Sequence, residues 1–133
     1  MQESQRALYT ILLEDHPKLE ALYERVVDAC EADAPELGVL WTELDTSLAR
    51  HLTAEEEHVF PALAEVAPEE VEALRAQHDD VRRKLVELGV CVDLHTLRKD
   101  VADAFIDALR LHGQRENTLM HVWLRDRIRA AER

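Results

Sequence analysis

Apolar residues recur every three or four positions along four stretches of this chain. That is the period of an amphipathic helix, not the two-residue alternation of a half-buried strand. The first stretch runs from about Ser4 to Glu31 with Leu8, Leu12, Leu19, Leu22 and Val26 on its seam. Pro17 lies inside it, removes a backbone donor and is expected to bend the helix just after His16. Ala32-Asp33-Ala34-Pro35 reads as a turn that places Pro35 at the start of a second helix, running to about Val59. Its seam is Leu37, Trp41, Leu44, Leu48, His51, Glu55, His58 and Ala62, and Pro61 should end or kink it. Pro68-Glu69-Glu70 opens a third helix with a proline and two acids, as helix starts favour. Val71, Leu74, His78, Val81, Leu85 and Leu88 form its apolar side, with Gly89 as the expected C-terminal cap. Asp93 or Thr96 should cap a fourth helix to about Arg129, through Leu97, Val101, Phe105, Ala108, His112, Glu116, Leu119 and Trp123. Three short connections between four long helices predict an all-α fold, an antiparallel up-down-up-down four-helix bundle, with residues 1–133 as a single domain.

Four of these seams are interrupted by a histidine where a core residue is due: His16, His51, His78 and His112. His16 and His51 each lie about 16 residues from the first turn, or ~24 Å along the helix at ~1.5 Å per residue. The other two match to within about two helical turns, inside the error of helix ends. All four imidazoles therefore fit one layer of the bundle. Glu55 follows His51 by four residues and Glu116 follows His112 by four, so each pair shares one helix face. A lone histidine on an apolar face is ordinarily a satisfied core residue. Four histidines and two glutamates on four seams form instead a candidate binuclear metal site. A carboxylate can bridge two ions, and imidazole with carboxylate suits iron, manganese or zinc. Without cations, two buried glutamates would be costly.

Composition narrows the alternatives. Scarce Gly (3) and Pro (4) favour helices, and 47% apolar residues favour a packed core over disorder. The net charge of −12 argues against nucleic acid or an anionic membrane as partner. The start, Met1-Gln2-Glu3-Ser4-Gln5-Arg6, lacks the pattern of a signal peptide. No run approaches the roughly 18 apolar residues of a membrane span. A cytoplasmic location is the expectation. Cys30 and Cys91 do not make a disulfide framework, and both fall near one end of the bundle.

Asp15-His16-Pro17, the run His51-Leu52-Thr53-Ala54-Glu55-Glu56-Glu57-His58-Val59-Phe60-Pro61, and His112-Gly113-Gln114-Arg115-Glu116-Asn117 resemble the motifs of the hemerythrin-like cation-binding family. The resemblance covers essentially the whole chain. It implies a non-haem di-iron centre, two Fe ions held by His16, His51, Glu55, His78, His112 and Glu116. It also implies a small ligand: O2, hydrogen peroxide or nitric oxide. Oxygen-carrying members have a second histidine four residues after the third-helix histidine, where this chain has Arg82. They place an aspartate five residues after the last histidine, where this chain has Asn117, with Glu116 at four. The pattern is similar instead to bacterial members associated with peroxide breakdown and to eukaryotic iron-sensing domains. The expected functions are catalase-like turnover of peroxide or, alternatively, sensing of iron or oxygen without turnover.

Further residues belong to the picture. His58, on the seam of Glu55, is a candidate extra ligand or a hydrogen-bond partner of one. Tyr9 and Tyr23 lie seven residues either side of His16 and are candidates for a phenol near the metal, with core packing as the other reading. Arg82 is placed to ion-pair beside the site, and Glu20 reads as a nearby acid. His95 and His121 have no partner pattern.

Overall fold

A computed structural model describes residues 14–132, with side chains up to Leu119 and that of Trp123. The described residues form helices α1 (His16–Glu31), α2 (Leu37–Ala54), α3 (Phe60–Leu63), α4 (Pro68–Asp93) and α5 (Lys99–Glu132). A π-helical turn, Glu55–Val59, joins α2 to α3, so these three pieces are one winding stretch. There is no strand among the described residues. Helix α1 packs on α2 and α5, and α4 packs on α2 and α5, which makes a helical bundle.

The apolar faces meet as their spacing requires. Leu19, Leu22, Tyr23, Val26 and Ala29 of α1 close on Leu40, Trp41, Leu44, Leu48 and Leu52 of α2. Leu85, Leu88 and Val92 of α4 and Phe105, Ile106 and Leu109 of α5 complete this cluster. A second apolar cluster holds Val59, Phe60, Leu63, Val71 and Leu74, with Leu119 and Trp123 packed against it. Between the two clusters lies a layer that is not apolar. It contains His51, Glu55, His78 and Glu116, the buried polar and charged residues of the core.

Local windings differ from the periodicity at identifiable places. The π-helical turn carries one more residue than an α turn, with Phe60 N–H donating to the Glu55 carbonyl. Pro61, with no N–H to give, stands just beyond it. The extra residue rotates the following face, so Val59, Phe60 and Leu63 are buried in place of His58 and Ala62. Gly89 does not cap α4, which continues to Asp93. A Cβ at Gly89 would lie 3.2 Å from Trp41 Nε1, so this glycine makes room for the indole. The chain reverses instead at His95, in the left-handed region with φ 57°. Thr96 caps the end of α4 rather than the start of α5, its hydroxyl donating to the Cys91 carbonyl. The inner face of α5 carries Ala102, Phe105, Ile106 and Leu109, while Val101 and Ala108, expected inside, are exposed. Cys30 and Cys91 are free thiols, both half-buried. Leu8, Tyr9 and Leu12 lie outside the described residues, and the side chain of His121 is likewise not described.

A candidate metal centre between two apolar clusters

The polar layer is assembled from all four long helices. His16 opens α1 beside Pro17, His51 ends α2 with Glu55 one turn on, His78 sits in mid-α4, and His112 and Glu116 are one turn apart on α5. They gather into two groups of three, His16–His51–Glu55 and His78–His112–Glu116. Within each group, one potential ligand atom per residue lies within 4.8 Å of the others. The imidazoles of each group meet edge to face, with centroids 4.8 Å apart for His16 and His51 and 4.9 Å for His78 and His112. Glu55 and Glu116 stand between the groups. Glu55 Oε1 is 3.2 Å from His51 Nε2 and 3.6 Å from His78 Nε2. Glu116 is 2.6 Å from His112 Nε2 and 3.6 Å from His78 Nε2.

The outer nitrogens of the rings are all engaged. His16 Nδ1 donates to Asn117 Oδ1 at 2.5 Å and His51 Nδ1 to Asp15 Oδ2 at 3.1 Å. His78 Nδ1 donates to Glu56 Oε2 at 2.9 Å and His112 Nδ1 to Gln77 Oε1 at 2.5 Å. Each group thus has one carboxylate-backed and one amide-backed histidine. A proton on Nδ1 leaves a neutral ring's lone pair on Nε2, aimed inward, as metal-ligating histidines require. The inner nitrogens of His16 and His51 are 3.0 Å apart. Two lone pairs at that distance repel unless a proton or a cation lies between them.

The inner oxygens make the same demand. Both Glu55 oxygens, Glu116 Oε2, and the Nε2 atoms of His78 and His112 are buried with no partner in hydrogen-bond geometry. Buried polar atoms left this way cost about 1–3 kcal/mol each. Burial, and then the Glu116 carboxyl beside it, push the Glu55 pKa well above the usual carboxylate value. Burial acts on Glu116 too, but the neighbouring Glu55, His112 and His78 outweigh it and hold that carboxyl low. Burial also lowers His51, against its hydrogen bond to Asp15 and with the help of His16. The neutral imidazole, the form that binds metal, is therefore favoured. A site of two glutamates and four inward nitrogens, several of them without a partner inside the protein, fits cations.

The family model of the hemerythrin HHE cation binding domain matches residues 7–124. The chain belongs to the hemerythrin HHE cation-binding family. No curated protein and no solved structure was found to match it. Membership of the hemerythrin family implies cation binding, and the polar layer contains two His/Glu groups that could hold a metal ion. No helix among the described residues is long and apolar enough to cross a membrane.

Around the centre of this hemerythrin domain, other expected participants are sorted by position. His58 is exposed, its ring 3.9 Å from Glu57, and turned away from the cluster by the π-helical turn. Tyr23 is buried and lines a surface recess of about 460 Å³ that reaches His16, Asn117 and Gly113. Burial, then the charges of Glu20, Glu116 and Glu55, raise its pKa, so it stays a neutral phenol. Glu20 pairs with Arg110 at 2.7 Å at the same recess. Spacing alone assigns no role to Asp15, Glu56 and Gln77, which accept hydrogen bonds from the histidine Nδ1 atoms. Asp15 and Glu56 each adjoin a ligand candidate in sequence, a signal too common in a chain this charged to stand out.

Proposed function

We propose that the two groups of three hold two non-haem iron ions and that the protein reacts with hydrogen peroxide or dioxygen, catalase-like breakdown of peroxide being the favoured activity. One observation carries this reading. Every outer imidazole nitrogen is hydrogen-bonded, while the inner nitrogens of His78 and His112 and the Glu55 oxygens lack hydrogen-bond partners. His16, His51 and Glu55 would hold one ion and His78, His112 and Glu116 the other. Bound iron supplies the electrons and Lewis acidity that oxygen chemistry needs. The protein orients the ligands through Asp15, Asn117, Glu56 and Gln77. Leu48 and Val81 in one apolar cluster and Leu119 against the other would limit water at the layer between them. The recess beside His16 is large enough for a small ligand such as peroxide, O2 or nitric oxide. Zinc and manganese suit the same donors and are distinguished by analysis. The short connections and the packing of neighbouring helices support an antiparallel up-down-up-down topology in one domain.

The direct test is metal content per chain after expression in iron-fed cells. About two irons per chain are expected, with Glu55→Ala losing iron and peroxide turnover together. Iron loading and peroxide loss both intact in Glu55→Ala would refute the assignment. A second reading, sensing of iron or oxygen without turnover, is favoured by the way the polar layer divides the core, which ties occupancy to folding. It predicts a large rise in melting temperature on iron loading and no peroxide turnover.

A further inference from the structure

Arg82 lies one turn beyond His78 on α4 and reaches across to the π-helical turn. Its two terminal nitrogens donate to the two oxygens of Glu56, at 2.7 Å to Oε2 and 2.8 Å to Oε1. The same Oε2 accepts the His78 Nδ1 proton at 2.9 Å. The guanidinium, the carboxylate and the imidazole therefore form one chain that ends on a fully buried ring. Among the described residues, Glu56 is the one Nδ1 acceptor of the four that is itself held by a guanidinium.

The clamp has a physical purpose. Glu56 is partly exposed, its side chain at 21%. A free carboxylate there would have several rotamers and water as competitor for its oxygens, and ordering it costs side-chain entropy. A planar fork that binds both oxygens removes that freedom in a way a single point charge does not. With Glu56 fixed, His78 is held in the tautomer and ring angle that aim Nε2 at Glu55 and Glu116.

We propose that Arg82 is a positioning residue for the His78–His112–Glu116 group, acting through Glu56 on His78 to raise that group's affinity for a divalent transition-metal ion. The proposal rests on the binuclear reading above. Removing an outer hydrogen-bond partner of a metal-bound histidine weakens metal binding by about 10–100-fold, and that is the size expected here.

The experiment titrates the full-length, metal-free protein with Co(II), followed by calorimetry and by the visible absorption of the bound ion. Wild type is expected to take up two ions, with His112→Ala marking the binding step that belongs to the α4–α5 group. Arg82→Met should weaken that step about 10–100-fold and leave the other step unchanged. Arg82→Lys should recover part of the loss. Glu56→Gln should show the same selective loss, and the double variant should be no worse than Glu56→Gln alone, because Arg82 acts through that carboxylate. Arg82→Met titrating like wild type, or losses that add in the double variant, would overturn the proposal. Were Arg82→Met to fold poorly, Glu56→Gln and Arg82→Lys would decide by the same criterion. Failure of wild type itself to bind Co(II) is a different result, which removes the binuclear reading and this inference with it.

Discussion

Single side chains in the polar layer are separated by where their polar atoms point. His58 and His51 are both histidines seven residues apart on one winding stretch, yet only His51 is buried. His58→Ala should therefore leave metal content per chain at the wild-type value, and a loss of an ion in that variant would return His58 to the ligand set. Tyr23 makes a pH-dependent prediction. Its folded pKa is raised above the ordinary value of 10.0, by burial first and then by Glu20. The stability tied to its neutral phenol is complete below pH 10 and is lost as the pH rises above it, because the unfolded chain ionises first. Metal-free Tyr23→Phe should lose melting temperature less steeply than wild type above pH 10. Parallel curves for the two proteins would mean that the phenol is not buried as described.

Elements show how far a helix can depart from regular winding without losing its face. The π-helical turn at Glu55–Val59 changes which residues reach the core, and it does so next to the candidate ligands. Glu55, its first residue, points into the layer beside His51, while Glu56 turns to His78 and Arg82. In α4, Gly89 is a packing residue in mid-helix. Alanine there would gain helix propensity but meet the Trp41 indole at 3.2 Å, so its sign rests on how far the ring can shift. A larger side chain has no such ambiguity. Gly89→Leu should lower stability by about 1–3 kcal/mol through overpacking, read as a lower denaturant midpoint, with metal content unaltered. A midpoint equal to wild type would show that the α2–α4 contact is looser than the structure has it.

For the whole molecule, the polar layer sets stability against function. It interrupts an otherwise apolar core with buried atoms that nothing inside the metal-free protein satisfies. Replacing His78 by Leu keeps the volume close and removes one of those atoms. Metal-free His78→Leu should melt higher than metal-free wild type, and its melting point should respond less to added divalent ion. Wild type should gain stability on loading, by about 2.7 kcal/mol when free metal is 100 times its Kd. If His78→Leu melts lower than wild type in the absence of metal, the histidine is a satisfied structural residue and the layer is not a strained metal site.

Much of this is legible in the sequence alone. The three-to-four spacing located the helices because burying one face is a local, periodic requirement. The six ligand candidates stand out in the sequence because polar residues on an apolar seam conflict with burial, and the conflict is visible one helix at a time. Their convergence within 4.8 Å in two groups is a tertiary result, since it depends on how four separate helices pack. So is the exposed position of His58, because a single extra residue in one turn rotates everything after it. The one-position shift of the α5 face, which buries Ala102 and Ile106 and exposes Val101 and Ala108, has the same character. The outer partners Asp15, Glu56, Gln77 and Asn117, and the reach of Arg82, join residues up to 101 positions apart. No periodicity encodes such contacts, and only the packed fold decides which oxygen each imidazole meets.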